Sequence, residues 1–344
     1  MASLLITAHR MIITPAGSPT RVVSPGYVRV EDGVVAEAGE GPPPRTPDTG
    51  LPDGLLAPGL VDLQVNGFFG HDMADADESG WHTVVSRLPE TGVTAFLPTF
   101  ITAPVAKQAE SLRRARDLIP GLPPGTRVLG VHLEGPFLSE KRKGAHNAAH
   151  LTDPEPEAIK TLLETGLVKL VTLAPERNGA LDAIRTLTEA GVLVSVGHSD
   201  ATAAQVSAAA DAGARKVTHI FNAQSGVHHR DPGVAVQALI DDRLSPGLIL
   251  DLHHVSAPVA ELAFRTRRGG SCSSPTPRRP PGCRPAPTTS AASPSPCPGR
   301  ARRCAPTAPS PGPGSGWTRR SATRSASASA RPPRWTPRPG SRPT

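Results

Sequence analysis

The sequence predicts an incomplete (β/α)8 barrel lacking its eighth strand, preceded by a small N-terminal β-sandwich layer. Three observations lead there. Seven apolar strand-like runs recur between residues 55 and 254 with helical stretches between them. The first 54 residues carry only short β-type runs separated by turns. The composition then breaks near Phe264, before an eighth strand could form.

In the first part the β-like runs are Leu4 to Thr7, Met11 to Thr14, Tyr27 to Val30 and Val34 to Ala36, with Asp32-Gly33 as one of the turns. The barrel strands read LLAPGLVDLQVNG, TAFLPTF, RVLGVHLEGPF, VKLVTLAPE, LVSVGHS, KVTHIFNA and GLILDLHH. Between them lie VAKQAESLRRARDLI, PEAIKTLLETG, ALDAIRTLTEAG and DATAAQVSAAADAG. The last three follow Asp153-Pro154, Asn178-Gly179 and Ser199-Asp200, plausible helix starts, and each ends in Gly. Continuous apolar strands joined by helical crossovers make a parallel sheet covered on both faces. Seven β/α units favour a barrel over an open sheet, and no glycine-rich GxGxxG turn supports dinucleotide binding. The domains expected are residues 1–54, 55–265 and a tail, 266–344.

Charge follows the same division. The whole chain has 37 basic and 30 acidic residues, but 15 of the basic ones are arginines after residue 265. Residues 1–265 keep 22 basic against 30 acidic, a net −8, so the basic total is no nucleic-acid footprint of the barrel. All four cysteines lie in the tail, leaving the body without a disulfide framework or thiolate site. No apolar run approaches the ~20 residues of a membrane helix. The N-terminus has no long apolar core of a signal peptide, so a soluble cytoplasmic protein is expected.

Barrel chemistry sits at the carboxyl ends of strands. Glu134 ends the third strand, His198 the fifth and His219 the sixth. One such histidine would be read as packing or capping locally. One carboxylate and two imidazoles at equivalent strand ends suit a shared Zn²⁺, Fe²⁺ or similar ion, with a position left for water.

The motifs LAPGLVDLQVNG (56–67), HLEGPFLSEKRKGAHN (132–147), GHSDA (197–201), THIFNAQSGVHHRDPG (218–233) and DLHHV (251–255) together resemble the N-acetylglucosamine-6-phosphate deacetylase family of amidohydrolases. The resemblance implies that Glu134, His198 and His219 are metal ligands. It implies substrate contacts at Ala145, His146, Asn222, Ala223, Arg230 and His254. His146 would polarise the acetyl carbonyl, Asn222 and Ala223 would lie near the sugar phosphate, and Arg230 would bind it. Where many amidohydrolases have HxH, Gln64-Val65-Asn66 stands, implying one divalent ion (Zn, Fe, Co or similar). The implied reaction is hydrolysis of N-acetyl-D-glucosamine 6-phosphate by a metal-bound hydroxide. The implied assembly is a homodimer with no membrane or nucleic-acid partner. Alternatives are another amidohydrolase acting on an N-acyl or cyclic amide, and a non-enzymatic protein whose basic tail binds nucleic acid.

The family's proton-transferring Asp belongs at the end of the eighth strand, in a motif like LVTDA. No Asp or Glu follows Glu261. From Thr266 onward there is also no Leu, Ile, Val, Met, Phe or Tyr. Reread one nucleotide earlier with suitable codons, SCSSPTPRRPPGCRPAPTT is compatible with VVLVTDATAAAGMPAGAYD, its Asp straddling Pro275 and Thr276. A disordered tail read out of frame, with a slip between Phe264 and Ser271, is therefore expected, and with it an inactive chain.

Overall fold

Residues 3–14 and 19–267 are described by a computed structural model. Expectations for the tail, including its disorder and the displaced Asp, fall outside these residues.

Alternating burial shapes the first sheet. In β1 (Ser3–Ile13), Leu5, Ala8, Met11 and Ile13 are buried while most of their neighbours are not. The first two runs seen in the sequence form this single strand. It pairs antiparallel with β2 (Arg21–Val23) and β3 (Gly26–Glu31), and parallel with β5 (Thr49–Leu56). β4 (Val34–Glu40) closes a hairpin on β3. Asp32 and Gly33 both adopt positive φ, 50° and 80°, as a two-residue turn with the twist of its strands requires. Met11, Ile13 and Val23 make a small core, with Val28 and Leu56 against it.

The second sheet is parallel and curled. Its first strand is β6 (Leu60–Val65), followed by a small hairpin, β7 (Gly67–Phe68) and β8 (His71–Asp72). Then come β9 (Val93–Ile101), β10 (Arg127–Val128), β11 (Val131–Glu134), β12 (Val168–Leu173), β13 (Leu193–Val196), β14 (Lys216–Val217) and β15 (Ser245–Pro246). β10 and β11 both pair with β9, as two segments of one strand interrupted where Gly130 takes φ 138°. The order is therefore β6, β9, β10/β11, β12, β13, β14, β15. Eight of the nine residues of β9 are buried or nearly so, as a strand covered on both faces demands. Phe96, Phe100, Leu133, Val171 and Val194 pack from the strands against buried helix residues such as Leu112, Ile159 and Ile184.

Helices α1 (Glu78–Arg87), α2 (Val105–Leu118), α3 (Pro156–Leu163), α4 (Ala180–Glu189), α5 (Ala203–Ala212), α6 (Gly233–Ile240) and α7 (Ala257–Thr266) complete the units. Asp77 caps α1 by accepting from the Gly80 amide at 2.8 Å. α5 starts at Thr202 rather than Ser199-Asp200, in a capping box with Gln205. Gly166, Gly191 and Gly213 take positive φ after α3, α4 and α5. No described helix is long and apolar enough to cross a membrane.

The barrel is incomplete. Among the described residues β6 pairs only with β9, and β15 only with β14. Leu60 and Val61 are about half exposed on the β6 edge, at 46% and 50%. The seventh run, GLILDLHH, departs from expectation. The two-residue ladder here, Ser245 and Pro246 against Lys216 and Val217, lies just before the run, and Gly247 adds backbone bonds to Val217 and Ile220. Beyond Gly247 no residue of the run joins a strand, and Leu252 takes φ 61°. A strand needs a neighbour on which to bond, and the described chain offers none on that side.

Candidate metal centre

The sheet delivers its polar residues at one rim. Glu134 is the last residue of β11, His198 lies two residues beyond β13, and His219 two beyond β14. Both histidines adopt positive φ, 47° and 30°, a region costly for residues with a side chain. Such strain persists only where surrounding bonds over-determine it. Here the Ser139 amide donates to the His198 carbonyl at 2.9 Å, and the Asn222 amide to the His219 carbonyl at 3.0 Å.

These turns bring three donor atoms together. Glu134 Oε1 is 3.2 Å from His198 Nε2 and 3.0 Å from His219 Nε2, and the two nitrogens are 3.1 Å apart. Tetrahedral donors at 2.0–2.1 Å from zinc stand roughly 3.3 Å from one another. The triangle is close to that spacing, and the three residues could hold a metal ion.

Proton accounting points the same way. His198 Nδ1 is 3.0 Å from the Arg142 carbonyl oxygen, so this nitrogen carries the hydrogen and donates it. A neutral His198 then presents a bare lone pair to the carboxylate oxygen. Only a positive charge reconciles the two, either a second proton on the ring or a cation between the donors. A carbonyl behind the ring is also the usual device for orienting a ligating imidazole. Arg142 is itself fixed, donating from Nε to Asp200 at 2.8 Å. His219 lacks a matching partner among the described residues, its Nδ1 being buried and unbonded.

Gln64 and Asn66 have a different part from the one read in the sequence, where they marked only the absence of ligands. Gln64 donates to Glu134 Oε1 at 2.9 Å, and Asn66 to Oε2 at 3.4 Å. They hold the carboxylate still and favour its charged form. Burial pushes the Glu134 carboxyl up. The His198 and His219 imidazoles in hydrogen-bond contact with it outweigh this and hold it well below the usual carboxylate range.

Below the triangle runs a buried polar layer that sequence reasoning missed. His132 Nδ1 is 3.1 Å from the Thr99 hydroxyl, and its Nε2 is 2.8 Å from the Thr172 hydroxyl. The chain continues from Thr172 to Thr218 at 2.7 Å and to Ser195 at 2.6 Å. His132 and Glu134, two apart on one strand, point to the same side, a signal present in the spacing.

Burial holds His132 down to about 3 and His146 to about 4, from 6.5, against the opposing pull of Glu134. Both stay neutral in the folded protein while the unfolded chain protonates. As pH falls from 6.5 toward 4 the unfolded state binds more protons, so stability falls, by up to about 1.4 kcal/mol per unit for each group. Glu134 acts in the same direction, its contribution being lost as pH falls through its lowered value. Urea unfolding with chelator at pH 7.5, 6.0 and 5.0 should give a steadily decreasing stability. A flat or rising profile contradicts this.

The other residues singled out in the sequence divide in two. His146 is buried at the cluster, its Nε2 3.9 Å from Glu134 Oε2 and its ring 4.3 Å from that of His198, edge to face. Ala145 precedes it on the exposed side of the loop. Asn222 and Ala223 lie on the turn after His219, and the Ala223 carbonyl accepts from the Ser199 amide at 3.2 Å, next to His198. Arg230 and His254 stand on exposed loops. The Arg230 amide donates to His228 Nδ1 at 3.4 Å, and His254 pairs with Asp251 at 2.7 Å.

No family model matches the chain. It is 38% identical over 272 residues to the N-acetylglucosamine-6-phosphate deacetylase of Bacillus subtilis (strain 168), covering 77% of this chain and 68% of that protein. It is 41% identical over 232 residues to the Homo sapiens protein of the same name, covering 63% of this chain and 56% of that one. Among solved structures it resembles N-acetyl-D-glucosamine-6-phosphate deacetylase from Mycobacterium smegmatis, an aspartate-to-alanine mutant in complex with N-acetyl-D-glucosamine-6-phosphate. The TM-score is 0.70 at 33% identity, over 77% of this chain and 68% of that one. The chain thus spans about two thirds of the bacterial relative and little more than half of the human one.

Proposed function

This chain belongs to the N-acetylglucosamine-6-phosphate deacetylase family of the amidohydrolase superfamily, and from that premise we propose that its site is built to hydrolyse N-acetyl-D-glucosamine 6-phosphate to D-glucosamine 6-phosphate and acetate. The observation that carries the reading is the Glu134, His198 and His219 triangle, with edges of 3.0–3.2 Å. Those three residues would hold one divalent ion, with Zn, Fe or Co all suited to the donors. When bound, the ion supplies Lewis acidity toward an amide oxygen and lowers the pKa of a water.

The chain's own groups do the rest. Gln64 and Asn66 keep Glu134 oriented and ionised. His146 offers a neutral N–H to the acetyl oxygen as negative charge grows there, since burial keeps its ring unprotonated down to about pH 4. Arg230 pairs with the phosphate through its planar fork, beside Asn222 and Ala223. Ala145 and His254 flank the sugar. Breaking the carbon–nitrogen bond also requires a carboxylate to carry a proton from the attacking water to the leaving amine. The 344 residues contain no acid after Glu261 to serve there, so this chain has the binding half of the site and lacks turnover.

Arg230 separates this substrate from an unphosphorylated amide. The test uses a hybrid in which the matching C-terminal segment of the Bacillus relative replaces residues 266–344. There, Arg230→Ala is expected to lower kcat/KM for the phosphorylated sugar about 100-fold, the factor that roughly 2.7 kcal/mol represents. Turnover of unphosphorylated N-acetylglucosamine should change little. Equal losses on both substrates would reject phosphate recognition by Arg230.

A further inference from the structure

His146 is approached from behind by a buried residue with no role so far. Thr102 follows β9 directly, and its backbone N–H donates to His146 Nδ1 at 3.3 Å. Its hydroxyl lies 2.8 Å from the same nitrogen and 3.3 Å from the Glu134 carbonyl oxygen. A ring nitrogen that accepts an amide N–H has no hydrogen of its own, because the two hydrogens would collide. Neutral imidazole carries a single N–H, so here it sits on Nε2. Nε2 is the nitrogen that faces Glu134.

We infer that Thr102 is a positioning residue that locks His146 in the Nε2–H tautomer, so that a hydrogen-bond donor and not a lone pair faces the acetyl oxygen beside Glu134. The proposed deacetylase reaction supplies only the identity of that acceptor; the tautomer stands on the Thr102 contacts. A lone pair in the same place would repel an oxygen gaining negative charge, so the tautomer decides whether His146 assists or opposes the reaction.

The surroundings keep Thr102 in register. Gln108, buried on α2, donates to the Ile101 carbonyl at 3.1 Å and to the Gly135 carbonyl at 3.4 Å, tying together the ends of β9 and β11. Gly135 has φ 88°, and a Cβ there would run into the Thr102 hydroxyl. The glycine of HLEGPF thus makes room for the threonine that sets the histidine.

The test is ¹⁵N-edited NMR of the imidazole nitrogens in the full chain at pH 7.5, with the His146 signals assigned by their loss in His146→Gln. The expected result is a protonated Nε2 and an unprotonated, hydrogen-bonded Nδ1. In Thr102→Val, which keeps the shape and the backbone N–H, the Nδ1 resonance should move downfield toward an unbonded ring nitrogen. Thr102→Ser should leave it in place. A protonated Nδ1 in the unmodified chain overturns the inference, and so does an Nδ1 signal that ignores the valine substitution. The unmodified chain decides the tautomer even if the valine variant does not fold. Zinc dialysis of the same samples separates the two ideas: failure to retain zinc rejects the deacetylase reading and leaves the tautomer result intact.

Discussion

Supplied with zinc and N-acetyl-D-glucosamine 6-phosphate, the 344-residue chain is expected to release acetate no faster than zinc alone does. Against the Bacillus-completed hybrid, the deficit should be at least about 1000-fold, within the range attributed to a positioned acid–base group. Neither Glu134 nor His146 is suited to that part. Glu134 accepts from Gln64 and Asn66 and faces two imidazoles, and this environment holds it ionised far below the pH of the assay. His146 has its Nδ1 engaged by Thr102 and stays neutral. Among the described residues β6 and β15 each lack a second neighbour, and rim residues on an unclosed sheet are expected to be held less firmly. Acetate release followed by a coupled assay decides the matter. Turnover at the hybrid's rate by the unmodified chain contradicts it.

The second large effect concerns the ion. Replacing Glu134 with Gln preserves shape but removes the only anionic donor of the triangle and presents amide hydrogens to the nitrogens that should share a cation. Zinc affinity is expected to fall about 1000-fold, equivalent to roughly 4 kcal/mol, a fair share of the total that a few protein ligands contribute. His198→Ala and His219→Ala should cost similar factors, each leaving two donors. Competition with a chromophoric chelator measures all three. Affinity within threefold of the unmodified chain in any one of them removes that residue from the ligand set.

The legible and illegible parts of this site differ for physical reasons. Glu134, His198 and His219 could be found because residue type and position at strand ends are both written in the sequence. The part taken by Gln64 and Asn66 could not, since a donor to a carboxylate 70 residues away depends on how β6, β9 and β11 lie side by side. Thr102 carried no signal at all: a threonine after a strand is commonplace, and only the fold brings it to His146. In the scaffold, α1 is legible from Trp81, Val84 and Val85, which are buried at helical spacing. α6, GVAVQALI, is apolar on nearly every side and so lacks a period to detect. GLILDLHH shows the reverse, an apolar run that reads as a long strand although the described ladder stops at Pro246 and only Gly247 of the run bonds to the neighbouring segment.

The most direct test is X-ray absorption on the full chain loaded with zinc and dialysed, with metal content measured on the same sample. One ion per chain is expected, with a first shell containing two imidazole nitrogens and a carboxylate oxygen. A chain that retains no zinc, or a shell that persists unchanged when Glu134, His198 and His219 are all replaced, contradicts the metal centre and everything built on it.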